Sequence, residues 1–471
     1  FKSGSVVRRK VGLRQLANSL AKRIKTDAAL AVFDDGKHWR LSLICDLKEE
    51  KTSPKRFSYV FGCSEHLYRT PISRFQELQN NGISYSNIRD AFNVEAVTKE
   101  FYIKLYNWYE WAQRPEFNVT FPNRIDTSSD DRDNLNEHLI RLITRLIFVW
   151  FIKQKGLVSV TLFSPKDLKA ILRSFDPLAG NHGNGCKPQT VEATCYYQAI
   201  LQNLFFATLN KAMDERRFVY DGDDKAQRKV EYGVKTFYRY EDQFTKSGKD
   251  EIIQCFSQTP FLNGGLFECL DKSNPTAANP NRIVYYDGFS RVADRKNGNF
   301  VKRAFIPNIL FFNTDETCPG LINLLQQYNF TIEENAPNDV VVALDPELLG
   351  KVFENLLASY NPETAETARN ATGSFYTPRE IVHYMVNEMI LDRLTTAHSN
   401  IPKEALYDLI YGDECPAAIK PKQRAELVKT LKQSKFLDPA CGSGAFPMGI
   451  LQCMLDILKK LQVSPSEEDL E

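Results

Sequence analysis

The segment from Asp438 to Phe446, reading Asp-Pro-Ala-Cys-Gly-Ser-Gly-Ala-Phe, constrains what this chain can fold into more than any other. Ahead of it, Lys435, Phe436 and Leu437 predict a short buried strand. Behind it, Pro447 to Leu458 places apolar residues at helical spacing. The expected unit is strand, glycine turn, helix. Gly442 and Gly444 permit backbone angles barred to other residues and let a ligand approach the main chain. An acid at the strand end, Asp438, can receive a cationic amine. Open α/β sheets hold nucleotide-like cofactors in this way, at the carboxyl ends of their strands.

Two commoner glycine loops are excluded. A dinucleotide loop needs G-x-G-x-x-G, but the residue three after Gly444 is Pro447 and the next glycine is Gly449. A P-loop needs Gly-Lys-Ser/Thr, which does not follow. The nonapeptide instead resembles motif I of the amino-methyltransferases that act on DNA and bind S-adenosylmethionine (SAM).

A second segment, Thr372 to Pro378 leading into Arg379–Val386, resembles motif X of the same family. Its local physics is readable without the family. Thr377 is a good N-cap, Pro378 suits the first helical turn, and Glu380 favours the positive helix end. Ile381, Val382, Met385 and Met389 are expected to form the apolar face. The resemblance implies that Phe375, Tyr376, Thr377 and Pro378 touch one side of SAM, while Asp438, Pro439, Ala440, Cys441, Gly442 and Gly444 form the other.

Motif X precedes motif I, with 60 residues between Thr377 and Asp438. That order resembles the class whose catalytic motif and target-recognition domain follow on the C-terminal side. The catalytic tetrapeptide Asn/Asp-Pro-Pro-Tyr/Phe is absent, since the chain has no Pro-Pro dipeptide, and it opens on Phe1 rather than Met. The expectation is a fragment of a larger protein that holds cofactor-binding residues, no catalytic ones, and no methyl-transfer activity of its own.

Along the chain the expected fold class is mixed α/β. A small β-containing N-terminal domain spans 1–125, a helix-rich connector 126–344, and the start of a Rossmann-like methyltransferase domain 345–471. Ala28–Phe33 and Trp39–Asp46 flank the turn Asp34-Asp35-Gly36 and predict a hairpin; Arg56–Phe61 predicts a third strand. Ile283–Tyr286 and Phe300–Ile306 are further strand candidates. Leu135, Leu139, Leu142, Ile143, Leu146, Ile147 and Trp150 predict a core helix closing at Gly156. Its unbroken apolar run is far short of the roughly 20 residues that cross a bilayer, so no membrane is implied.

Looser blocks extend the resemblance: Trp39–Ser42, Lys55–Gly62, Arg141–Phe148, Phe261–Glu268 and Asp345–Leu357. They look like the amino-terminal half of type IIG restriction-modification proteins, which join nuclease, methyltransferase and target recognition in one polypeptide. For the Asn263-Gly264-Gly265 turn a structural role is favoured over catalysis. The resemblance implies double-stranded DNA as partner, SAM as cofactor, transfer to adenine N6, a role in phage defence, and a bacterial cytoplasmic setting.

The net charge of +1 excludes a uniformly basic nucleic-acid binder, so any DNA contact is local. Lys2, Arg8, Arg9, Lys10, Arg14, Lys22, Arg23 and Lys25 precede the first acid, Asp27, on a segment given an apolar face by Leu13, Leu16, Leu20 and Ile24. Ten cysteines without a C-x-x-C pair argue against zinc and fit reduced thiols. Cys441 lacks the Pro-Cys context of a cytosine-C5 nucleophile. Mg²⁺ is implied only if a nuclease is present; Asp46-Leu47-Lys48 and Glu49-Glu50-Lys51, with Asp34 or Asp35, match half of its pattern and are better read as a charged loop. A methylation-only protein, such as a type I modification subunit or a phage-defence methyltransferase, and a non-catalytic SAM- or DNA-binding scaffold stay open.

Overall fold

Strands β1 (Ala29–Asp34) and β2 (Trp39–Cys45) form the expected hairpin, with Asp34 opposite Trp39. The turn works because Gly36 takes φ +85° while its N–H bonds back to Asp34 Oδ1 at 2.7 Å. β3 (Lys55–Phe61) pairs antiparallel with β2, and β4 (Asp339–Val341) adds in parallel to β3, giving the order β1-β2-β3-β4. This structure is a computed structural model. It describes residues 28–34, 36–45, 55–62, 68–122, 131–180, 190–218, 237–262, 265–273, 283–289, 295–296, 299–300, 303–331, 339–344, 377, 379–412, 414–439, 441 and 444–461.

Alternation along the strands separates two faces. Leu43, Tyr59 and Phe61 enter the hydrophobic core, where the Tyr59 hydroxyl donates to Ala91 O at 2.7 Å. The opposite face buries Arg40, Ser42, Arg56 and Ser58, with the two serine hydroxyls 2.8 Å apart. Helices α1 (Arg69–Asn81), α2 (Tyr85–Ala91) and α3 (Val94–Ala112) follow the hairpin sheet.

α4 (Asp131–Gln154) is the expected core helix, and Leu139, Ile143, Leu146 and Ile147 are fully buried. Its end is a Schellman turn: Gly156 sits at φ +72°, its N–H reaches Lys153 O, and the Leu157 N–H reaches Ile152 O. A π-helix, Tyr196–Leu209, is buried along its whole length. Its polar side chains are satisfied inside the core, with Gln202 donating to Asp287 O and Asn203 to Arg239 O. The two strand candidates shrink to two-residue ladders, Ile283–Val284 and Asn299–Phe300, plus a bridge from Phe305 to Thr120.

The chain divides into two compact units, which among the described residues cover 28–344 and 377–461. One core draws on residues from Leu43 to Leu344. The second unit packs α5 (Arg379–Ala397), α6 (Lys403–Tyr411), α7 (Pro421–Gln433) and α8 (Ala445–Lys460) around Val386, Leu394, Leu406, Leu427 and Ile457. No described helix is long and apolar enough to cross a membrane.

Candidate cofactor site

The second unit holds the described part of both segments expected to face a cofactor. α8 begins at Ala445, directly after Gly444, whose φ of +83° makes it a left-handed N-cap. The Gly444 N–H closes the turn onto Cys441 O at 2.8 Å, and Met448 N–H returns to Gly444 O at 3.0 Å. A Cβ at residue 444 would meet nothing within 4 Å, so the space beside this residue is open. Asp438 is half-buried at the start of the turn, and Pro439 and Cys441 are exposed. Ala440 and Gly442 lie outside the described residues.

On the other side, α5 begins at Arg379, and Thr377 lies exposed two residues before it. Phe375, Tyr376 and Pro378 lie outside the described residues. So do the basic opening, the block 345–357, the triplets 46–48 and 49–51, and the Asn263-Gly264 part of its turn. Among the described residues no group of three His, Cys, Asp or Glu side chains could hold a metal ion.

The packing of α5 on α8 relates the two motifs. Val382 and Val386 lie against Gly449, and one turn further on Asn387 Oδ1 accepts the Cys453 thiol at 3.2 Å. Residue numbers rise together along this seam, so the two helices run in the same direction. Their N-termini lie at the same end, and each follows one of the predicted cofactor segments. Both therefore present the positive end of a helix on one side of the unit. Thr377 is thereby brought to the same end as Cys441 and Gly444.

The supporting contacts are built from ordinary chemistry. Burial pushes the Cys453 thiol up to about 12, so it stays neutral and serves as a donor. Lys460 Nζ caps the Leu409 and Ile410 carbonyls at 3.0 Å each, tying the end of α8 to the end of α6. His398 and Thr430 meet at 2.8 Å between α5 and α7. The Tyr411 hydroxyl donates to Glu388 at 2.8 Å, and burial together with that carboxylate raises its pKa.

Two expectations are corrected here. Lys435–Leu437 is not a strand: no described strand pairs with it, and Leu437 is 90% exposed. A strand is defined by its neighbours, and apolar sequence alone does not supply one. The apolar face of α5 is also rotated. Val382, Val386, Ile390 and Leu394 are buried, whereas Ile381, Met385 and Met389 are 48%, 51% and 40% exposed. Of the expected face only Val382 is inside. Sequence reasoning also missed Gly449 and the Asn387–Cys453 contact; the signal for the first was a glycine in the middle of an apolar helix.

No family model matches the chain, and no solved structure matches it. The chain is similar to a protein of Methanocaldococcus jannaschii that carries the provisional name of type II restriction enzyme and methyltransferase. Identity is 25% over 462 residues, covering 90% of this chain and 30% of that protein. The chain thus spans under a third of the length of this curated relative. The likeness supports kinship with restriction-modification proteins.

Proposed function

We propose that this chain carries the cofactor-binding part of a SAM-dependent DNA adenine-N6 methyltransferase within a type IIG restriction-modification enzyme. The observation that supports the reading is the parallel α5–α8 pair, with Thr377 ahead of one helix and Cys441 and Gly444 ahead of the other. The residues present fit the cofactor. The turn at Gly444 is open where a side chain would stand, and Asp438 offers a carboxylate beside it.

When bound, SAM supplies a methyl group on a sulfonium centre. Asp438 would accept hydrogen bonds from its ammonium group, and the Cys441–Gly444 turn would pack along its methionine portion. The segment ending at Thr377 would close the opposite side, and the two helix ends favour a carboxylate there. The acceptor is an exocyclic base amine whose lone pair is delocalised into the ring, so it needs activation by groups outside this chain's motifs and a base turned out of the duplex. Orientation of the two reactants is this chain's contribution.

Nucleoside mass spectrometry of DNA modified by the intact enzyme of which this chain is proposed to be part tests the reading. N6-methyladenine is expected. N4-methylcytosine would preserve the amine chemistry and overturn the adenine assignment, while 5-methylcytosine would overturn both.

A further inference from the structure

We propose that strand β1 is the contact through which two copies of this chain pair, antiparallel and two-fold symmetric about Ala31. Among the described residues β1 pairs with β2 alone, so it stands at the edge of its sheet. Leu30 lies opposite Leu43 and Val32 opposite Leu41, and residues directly opposite share a face. That face is the one by which Leu43, Tyr59 and Phe61 enter the core. At β1 it emerges from cover: Leu43 is 2% exposed, whereas Leu30 and Val32 are 53% and 63% exposed. The apolar surface continues past Leu41 into a hollow of about 540 Å³ lined by Trp39, Phe61, Ile72 and Phe75.

The edge strand of a monomer is normally guarded by a lysine, a proline or a bulge, because its open backbone groups template pairing with another chain. Residues 29–33 carry no such guard. They include no charge, proline or glycine, they pair with β2 without a bulge, and the Asp34 carboxylate that follows accepts the Gly36 N–H within its own turn. The occupant is a second copy because the strand complements itself. About an axis at Ala31, Leu30 meets Val32 of the second copy on the exposed face, and Ala29 meets Phe33 of the second copy on the other, small against large. An axis at Val32 would instead set Leu30 against Asp34, and a slip of one residue would turn the two apolar faces apart. The Ala31 register gathers Leu30 and Val32 of both copies into one cluster that excludes water.

Sedimentation velocity of the whole chain over a range of concentrations tests the pairing, and a reversible dimer is expected. Val32→Lys should weaken it by roughly tenfold or more, because the ammonium would be buried against Leu30 of the second copy. The melting temperature should hold, since the residue is exposed within its own chain. Adding Leu30→Glu should restore the dimer, because in this register each new carboxylate lies opposite the new ammonium of the other copy. Ala31→Cys gives an independent reading. Directly opposed residues of antiparallel strands have Cα atoms about 4.5–5.5 Å apart, within reach of a disulfide. Oxidation by diamide should link two copies through residue 31, identified by peptide mass spectrometry with the unmodified protein as control. A chain that stays monomeric at every concentration overturns the proposal, and so does capture of a different protein by a monomeric chain. A dimer indifferent to Val32→Lys, not restored by Leu30→Glu, or forming no link at residue 31 overturns it equally.

Discussion

Arg145 and Asp287 form a buried ion pair, Nη1 to Oδ1 at 3.3 Å, with neither side chain more than 3% exposed. Arg145 also donates to the Leu266 and Glu268 carbonyls, and Asp287 accepts the Leu270 N–H. The pair therefore pins the chain around Gly265 to the core helix α4. Two sequence blocks noted for their family likeness, Arg141–Phe148 and Phe261–Glu268, meet through this one guanidinium.

Replacing Arg145 by Met should destabilise the first unit by about 3–5 kcal/mol, because Asp287 is left as a buried charge without its cation. Urea unfolding measures this. A loss below about 1 kcal/mol would show that the carboxylate finds another partner or a proton at little cost.

Gly444→Ala tests backbone strain in isolation, since the added methyl meets no atom within 4 Å. The left-handed conformation alone should cost about 1–2 kcal/mol. Gly444→Asn should cost less, because asparagine tolerates that region. Equal stability of all three proteins in denaturant titration would argue against a positive φ at this position.

Asp438→Ala should reduce SAM affinity by roughly 1.5–3 kcal/mol, the worth of a charge-assisted hydrogen bond. Calorimetry on both proteins decides it, and an unchanged affinity would remove Asp438 from the site.

Glu100 gives a pH prediction. Burial pushes its carboxyl up, but hydrogen bonds from Lys104 and Tyr328 and the charges of Lys104 and Arg74 outweigh that and lower its pKa below the usual 4.5. A depressed folded pKa stabilises the fold above the unfolded value, and the contribution is lost as pH falls through the folded value. Glu100→Gln should flatten this part of the acid limb of the stability curve below pH 4.5. Parallel acid titrations of the two proteins compare the slopes.

Features encoded over a few residues were legible in the sequence. The Gly36 turn and the Gly156 cap each follow from one glycine after a periodic run, and α4 follows from its leucines. Features that depend on a distant partner were not. The inward face of α5 is chosen by Gly449 and Cys453, more than sixty positions downstream. The stretch at Leu437 looks like a strand by composition, but no described neighbour bonds to it. At the candidate site the residues could be named from motif likeness. That Thr377 shares an end with Cys441 and Gly444 could not be read there, because it comes from the direction in which two helices pack.

The parallel seam between β3 and β4 has a consequence for synthesis. Phe57 sits beside Val340, so the sheet cannot be completed until the ribosome has made the intervening chain. At roughly 5–20 residues per second, the stretch of about 280 residues from Phe61 to Asp339 takes on the order of 15–60 s. Throughout that interval the nascent hairpin carries an unfilled edge on β3, ready to pair with any other extended segment. The newborn protein is thus exposed to misassembly at this edge between the synthesis of β3 and that of β4, when a holding chaperone would protect its yield.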